Sequence, residues 1–215
     1  MTAHPALSTT SYAILGMLAI RPWTAYELTN QIRSSLSYCW PKAASVLYDE
    51  PKRLVRLGLA SVSHEAAGRR TRAVYEITED GREALRAWLA TEPAPPRFEV
   101  EGMLRLVYAD QGSVDDLLGA VRATRAWAAD RLEEGGSQVR EYLTDGGPFP
   151  ERLHIIALFA RFYADLLEVV EGWAELAERE VASWPRTDGL GLTDGARKLL
   201  EEIVERRDQR PNPSS

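Results

Sequence analysis

Residues 40–77 constrain this chain more than any other stretch. A basic helical segment with Lys42, Lys52 and Arg53 runs into Gly58. Two strand-like runs follow, Leu59–His64 and Ala73–Ile77, separated by Gly68-Arg69-Arg70-Thr71. Glycine just past an apolar-periodic segment is a helix stop, and a polar, Gly-containing link between two short β-rich runs is a hairpin signal. A basic helix, a glycine stop and an arginine-tipped hairpin, in that order, predict the working half of a winged helix-turn-helix. In that arrangement a helix lies in the DNA major groove with a hairpin beside it.

The upstream sequence supplies the remaining helices. Ala13–Ala19 reads as a buried first helix, opened by Ser8, Thr9 or Thr10 and ended by Arg21-Pro22. Thr24-Ala-Tyr-Glu27 has capping-box spacing, and Leu28 and Ile32 turn one face of the second helix inward. Trp40-Pro41 is expected to begin the third helix, because a proline in the first turn loses no bond the helix would have made. Val46, Leu47, Leu54 and Leu57 form its expected apolar side. Pro51 removes one backbone bond and crowds the carbonyl of Leu47, which predicts a kink or break between Asp49 and Lys52. Thr78-Glu-Asp-Gly caps a further helix with Ala84, Leu85, Trp88 and Leu89 as core positions.

The net charge of −6 over 215 residues argues against a nucleic-acid partner until it is divided by region. Residues 1–92 carry 11 Lys/Arg against 9 Asp/Glu, and residues 42–72 carry 7 against 3, whereas the rest of the chain is strongly acidic. Positive charge is focused where a phosphate footprint belongs. The single cysteine, Cys39, sits in a largely apolar run and reads as a small packing residue in a reducing compartment. Tyr12–Ile20 is too short to span a bilayer and lacks a basic flank, so a cytoplasmic protein without membrane association is expected.

Glu92-Pro-Ala-Pro-Pro-Arg97 favours an extended spacer. It divides the chain into an N-terminal domain over 1–92, a helical domain over 98–208 and a disordered tail over 209–215. The fold class is therefore mainly α: a three-helix core with a two-stranded wing, then an all-α C-terminal dimerisation domain. Phe98–Asp110 reads as a short helix, and Ser113-Val-Asp-Asp116 opens a longer one that Gly135-Gly136 kinks or ends. Ile156, Phe159, Tyr163, Leu166, Val170, Trp173, Ala177 and Trp184 then recur at steps of three and four, the pattern of a packed helix face. The first six are the expected dimer interface. Ile155, Leu158, Phe162, Val169 and Leu176 form a second apolar row, wider than a two-stranded zipper needs. Pro185–Thr193 is a loop and Asp194–Arg207 a last amphipathic helix.

Candidate DNA contacts follow from residue chemistry. Lys42, Ala44 and Ser45 open the third helix, where small side chains allow close approach and a hydroxyl bonds base or phosphate. Tyr48 lies on the same face; Lys52 and Arg53 address phosphate, as do Arg69, Arg70 and Arg72 at the hairpin tip. Thr24 and Tyr26 at the start of the second helix complete the set. The aromatics of the second half make an aromatic core and dimer contact, or alternatively line a cavity for a flat effector with Trp127, Trp173, Tyr108 and Arg161. His4, His64 and His154 lack partners at ligand spacing, and no nucleophile, phosphate-loop or dinucleotide motif is present. Neither metal, cofactor nor enzymatic activity is expected.

Tyr12-Ala-Ile-Leu-Gly-Met-Leu, Thr24-Ala-Tyr-Glu-Leu, Trp40-Pro with Leu47-Tyr48, Lys52-Arg-Leu54 with Gly58-Leu59, and Tyr75-Glu-Ile-Thr-Glu-Asp-Gly81 together resemble the PadR family of bacterial transcriptional regulators. The likeness covers nearly all of residues 11–90. Beyond them it is one of helical pattern, similar to the longer branch with a helical C-terminal domain. The resemblance implies a homodimeric repressor on a near-palindromic DNA operator, released by an effector such as a phenolic acid or hydrophobic drug. It also implies Ser45, Tyr48, Lys52 and Arg53 on the recognition helix and 69–72 in the wing. Pro51 departs from the leucine-like residue of the family pattern. The competing reading is a winged-helix module that binds protein without operator specificity. Basic groups on both helix and hairpin favour DNA.

Overall fold

The computed structural model describes residues 7–36, 40, 42–67, 70–96 and 98–209, with backbone alone at 67 and 70. The chain forms two compact units, Met1–Pro96 and Arg97–Ser215.

The first unit comprises α1 (Thr9–Ile20), β1 (Trp23–Thr24), α2 (Ala25–Ser35), α3 (Ala44–Arg56), β2 (Ala60–Ala67), β3 (Arg70–Ile77) and α4 (Glu79–Leu89). Its sheet is antiparallel with order β1-β3-β2. β1 pairs only with Val74 and Tyr75, whereas β2 follows β3 from Ala60↔Ile77 to Ala67↔Arg70. The far half of the hairpin therefore projects past the sheet as a wing. Ile14, Leu15 and Leu18 of α1, Leu28 and Ile32 of α2, Leu47 and Leu54 of α3, and Leu59 are buried together with Val74, Tyr75 and Ile77. Burying a side chain of this size contributes about 1.5–3 kcal/mol, which is what assembles helices too short to stand alone in water.

The local signals that set these elements are cap chemistry. Ser8 caps α1 and exchanges bonds with Ser11. Thr24 Oγ1 accepts from the Glu27 N–H, while the Glu27 carboxylate accepts from the Thr24 N–H. Gly58, at φ 74°, takes the left-handed conformation that lets the chain leave α3 and enter β2. Thr78 Oγ1 donates to the Gly58 carbonyl and accepts from the Gly81 N–H, tying the end of α3 to the start of α4.

Four expectations for this unit need correction. α3 begins at Ala44, not at Trp40-Pro41; Ala43 occupies the cap without a side-chain bond, and Pro41 lies outside the described residues. Pro51 does not split α3, which runs unbroken to Arg56: Leu47, Pro51 and Leu54 are all buried, so packing on both sides of the missing bond holds the helix together. Val46 is exposed rather than apolar core, as are Trp88 and Leu89 of α4. Trp88 instead stacks on Tyr12 of α1, with centroids 4.8 Å apart and planes at 7°. The hairpin strands are longer than expected, so Arg70, Thr71 and Arg72 belong to β3 and only residues 68–69 separate it from β2. Those two residues, like Cys39, lie outside the description.

The second unit comprises α5 (Glu101–Val107), α6 (Val114–Asp145), α7 (Leu153–Ala182) and α8 (Asp194–Asp208), with short 3-10 turns before α6 and α7. Ser113 caps α6 through a capping box with Asp116, whose carboxyl is held below its ordinary pKa by the bonds from Ser113. Gly135-Gly136 do not end α6; the helix runs through them to Asp145, and its cap Gly146 is left-handed at φ 77°. α6 packs along α7. Leu117, Leu118 and Val121 of α6 meet Ala174 and Val181 of α7, with Trp173, Ala177 and Trp184 around them. α7 stops at Ala182, two residues short of Trp184, and α8 extends to Asp208. Arg122 and Arg125 of α6 clamp Glu178 of α7 at 2.7 and 3.5 Å and hold its carboxyl below the usual range. No helix among the described residues is long and apolar enough to cross a membrane.

Candidate nucleic-acid interface

α3 presents two unlike faces. Leu47, Pro51 and Leu54 are buried, whereas Ser45, Asp49, Lys52 and Arg56 are exposed. The latter recur at i, i+4, i+7 and i+11, the spacing of one helical face. Lys42, Ala43 and Ala44 are exposed just before and at the helix start, with Lys42 Nζ 5.3 Å from the Trp40 ring centroid. α3 has no acidic residue in its first turn and no side-chain cap at Ala43, and a helix start of this kind favours an anion. Lys52 Nζ lies 2.9 Å from Asp49 Oδ1. The bond and the charge of Asp49 raise the Lys52 pKa, so the ammonium stays protonated. Tyr48 is half-buried at the flank.

Arg53 is placed differently from expectation. Its Nη1 donates to Ser11 Oγ at 3.1 Å and to Glu50 Oε1 at 2.8 Å. Its Nη1 is directed toward α1. Arg56, not singled out in the sequence, is exposed on the same face as Lys52. Its spacing from Lys52 carried the signal, but an expected break at Pro51 hid the continuation of the face.

On the wing, Arg72 lies opposite Glu65 and donates to Glu65 Oε2 from Nε at 3.3 Å and Nη2 at 3.0 Å. It is exposed on the strand rather than at the tip. Arg69 and the side chain of Arg70 lie outside the described residues. At the start of α2, Thr24 is occupied by capping and Tyr26 is exposed. The Glu27 carboxyl is held below its ordinary pKa, chiefly by the backbone and side-chain bonds from Thr24, with Arg21 and Arg72 adding favourable charge. Arg21 stacks over the Trp23 ring at 3.4 Å.

The expected dimer row also reads differently. Ile156, Phe159, Tyr163, Leu166, Val170 and Trp173 are all half-buried within the chain, adjoining the buried line of Leu167, Ala174 and Val181. Four of the second row face outward, Ile155 at 48%, Leu158 at 76%, Phe162 at 57% and Val169 at 68% exposure, whereas Leu176 is half-buried. The four expected effector residues lie on three elements. Arg161 pairs with Asp165 at 2.7 Å and is twelve residues, roughly 18 Å along the helix, from Trp173. Trp173 packs against the α6–α7 core, and Tyr108 and Trp127 are exposed on other elements.

A three-helix core, a small antiparallel sheet with a projecting hairpin and an exposed polar face on the third helix define a winged helix-turn-helix protein. Residues 14–87 match the Transcriptional regulator PadR-like family, so the first unit carries a domain of that family. Over 99 residues it is 28% identical to the negative transcriptional regulator PadR of Bacillus subtilis (strain 168). That match takes in 45% of this chain and 54% of the relative, so the chain spans about half the length of the curated relative it matches. The crystal structure of Bacillus subtilis PadR in complex with operator DNA superposes with a TM-score of 0.68 at 19% identity, over 81% of this chain and 99% of that one. The structure of Bacillus subtilis PadR in complex with p-coumaric acid superposes with a TM-score of 0.58 at 17% identity, over 83% and 100%. At these identities the likeness is one of fold.

Proposed function

We propose that this regulator is a homodimer that binds operator DNA through α3 and the wing and represses transcription until a small-molecule effector releases it. The observation that carries the DNA reading is the face of Ser45, Asp49, Lys52 and Arg56, exposed on a helix whose opposite side is locked in the core. Ser45 and Asp49 supply a hydroxyl and an acceptor for base edges. Lys42, Lys52, Arg56 and the wing arginines supply phosphate contacts, and the uncapped start of α3 supplies N–H groups. Arg53, Thr24 and the expected tip placement of Arg72 are not part of this contact set. The exposed row Ile155, Leu158, Phe162 and Val169 is the surface a second subunit covers.

The printed name of the Bacillus subtilis relative supports repression, and the p-coumaric acid complex of that protein supports a phenolic acid as the class of effector to try first. The test is a mobility shift of the full chain with the DNA upstream of its own gene against random duplex at moderate salt, with and without p-coumaric acid. Preference for the upstream duplex, weakened by the acid, is expected. Equal binding to both duplexes overturns the operator reading, and an unchanged shift in the acid overturns this effector class.

A further inference from the structure

We propose that Ser11 is a positioning residue for DNA recognition: with Glu50 and Arg53 it fixes the roll of α3 about its own axis, and so decides which side chains α3 presents to base edges. The inference rests on the reading of α3 as the DNA-facing helix.

Ser11 is fully buried in the first turn of α1. Its hydroxyl has one proton and two lone pairs. The proton goes to Glu50 Oε1 at 2.6 Å, because a carboxylate oxygen only accepts. The lone pairs are shared among the Ser8 N–H and Ser8 Oγ, both at 3.0 Å, and Arg53 Nη1 at 3.1 Å. Arg53 closes the triangle on Glu50 Oε1 at 2.8 Å. One hydroxyl thus joins the cap of α1 to two side chains of α3, across 39 and 42 residues of sequence.

Among the described residues the buried side chains of α3 are apolar. Leu47, Pro51 and Leu54 lie along one line of the helix, and such contacts are non-directional. They hold α3 down but resist rolling weakly. Hydrogen bonds fail within a few tenths of an ångström and a few tens of degrees, so the Ser11–Glu50–Arg53 triangle is the directional restraint. A roll of about 20° moves a side-chain tip ~6 Å from the axis by ~2 Å. That displacement breaks a contact to a base edge, while a flexible lysine still finds phosphate.

The test replaces the network by apolar groups of similar size, Ser11→Ala/Glu50→Leu/Arg53→Met, in the full chain. A paired buried network replaced in this way commonly leaves stability unchanged or raised, so folding and reading separate. The probes are the duplex that the unmodified protein enriches from a randomised pool, and random duplex of equal length, each titrated at several salt concentrations. The expected result is an unchanged or higher Tm, unchanged affinity and salt slope on random duplex, and a preference for the enriched duplex reduced about tenfold or more. Ser11→Ala alone is expected to lower the same preference. An intact preference in the triple variant overturns the positioning role. Equal weakening on both duplexes with a salt slope smaller by about one also overturns it, because Arg53 is then a direct phosphate contact. Should the unmodified protein enrich no duplex, the DNA reading of α3 fails and this inference with it.

Discussion

Asp49 and Lys52 sit side by side on the exposed face of α3, Oδ1 and Nζ 2.9 Å apart. An exposed pair of this kind adds little to stability, so its consequence lies in binding. The carboxylate is a negative charge within the footprint, repelled by phosphate and usable only where a base offers a donor such as the cytosine amino group. It also holds Lys52 in one direction. Asp49→Asn is expected to bind random duplex more tightly and to lose part of its preference for the operator, gaining tolerance for adenine where cytosine stood. Titrations on duplexes substituted one base pair at a time check this; weaker binding to random DNA sinks the assignment.

Arg56→Ala and Lys52→Ala are expected to weaken binding to specific and random duplex alike, each reducing the salt slope by about one. Both side chains are exposed on the same face of α3. A slope unchanged in Arg56→Ala places that residue outside the footprint.

Acid should weaken the α2 cap. The bonds from Thr24 hold the Glu27 carboxyl below its ordinary pKa, so the stabilisation is complete above the unfolded value and lost as pH falls through the folded one. Thr24→Ala, which removes the cap, is expected to cost about 1 kcal/mol at neutral pH. Glu27→Ala should lower the Tm at neutral pH, with the gap to the unmodified chain closing as pH falls below the ordinary carboxylate range. A gap of constant size across that range would mean the carboxylate charge contributes nothing.

Gly81→Ala is expected to destabilise the first unit although alanine favours helix by about 1 kcal/mol. A Cβ there runs into the carbonyl oxygen of Leu59 and the side chain of Ile77, and backbone cannot swing away as a flexible side chain would. Overpacking of this kind costs about 1–3 kcal/mol, so the clash outweighs the propensity. A chemical melt showing Gly81→Ala as stable as the parent would mean α4 shifts freely on β2.

What the sequence revealed and what it hid follow the range of the interactions. Thr24 with Glu27, Thr78 with Gly81, and Gly58 are readable because a cap is completed within three residues or by one backbone conformation. The first two also place the starts of α2 and α4 correctly. Pro51 misled because its local cost is plain in the sequence, whereas the buried Leu47 and Leu54 that offset it are known to be buried only in the fold. The link from Ser11 to Glu50 and Arg53 has no local signature at all; Arg53 next to Lys52 reads as one more phosphate contact until α1 is seen beside it. In α7 the period was legible but the choice between rows was not, since both are apolar and only the partner helix distinguishes them.

That choice determines the last prediction. Leu167, Ala174 and Val181, seven residues apart and nearly inaccessible, mark the line of α7 that meets α6. Leu166 is half-buried beside it, whereas Leu158 and Phe162 point away, at 76% and 57% exposure. A glutamate at Phe162 therefore meets water in an isolated subunit and meets an apolar surface only when a second copy covers the row. Phe162→Glu and Leu158→Glu are expected to leave the helical content and the α6–α7 packing intact while shifting sedimentation from dimer to monomer, and to weaken operator binding by loss of the paired half-site. Leu166→Glu places its charge at the edge of the internal core and is expected to lower the Tm first. If both outward variants sediment as full dimers, the row on α7 is not the interface, and the second subunit contacts the chain through another apolar surface, for which the exposed Leu200, Ile203 and Val204 of α8 are the next to substitute.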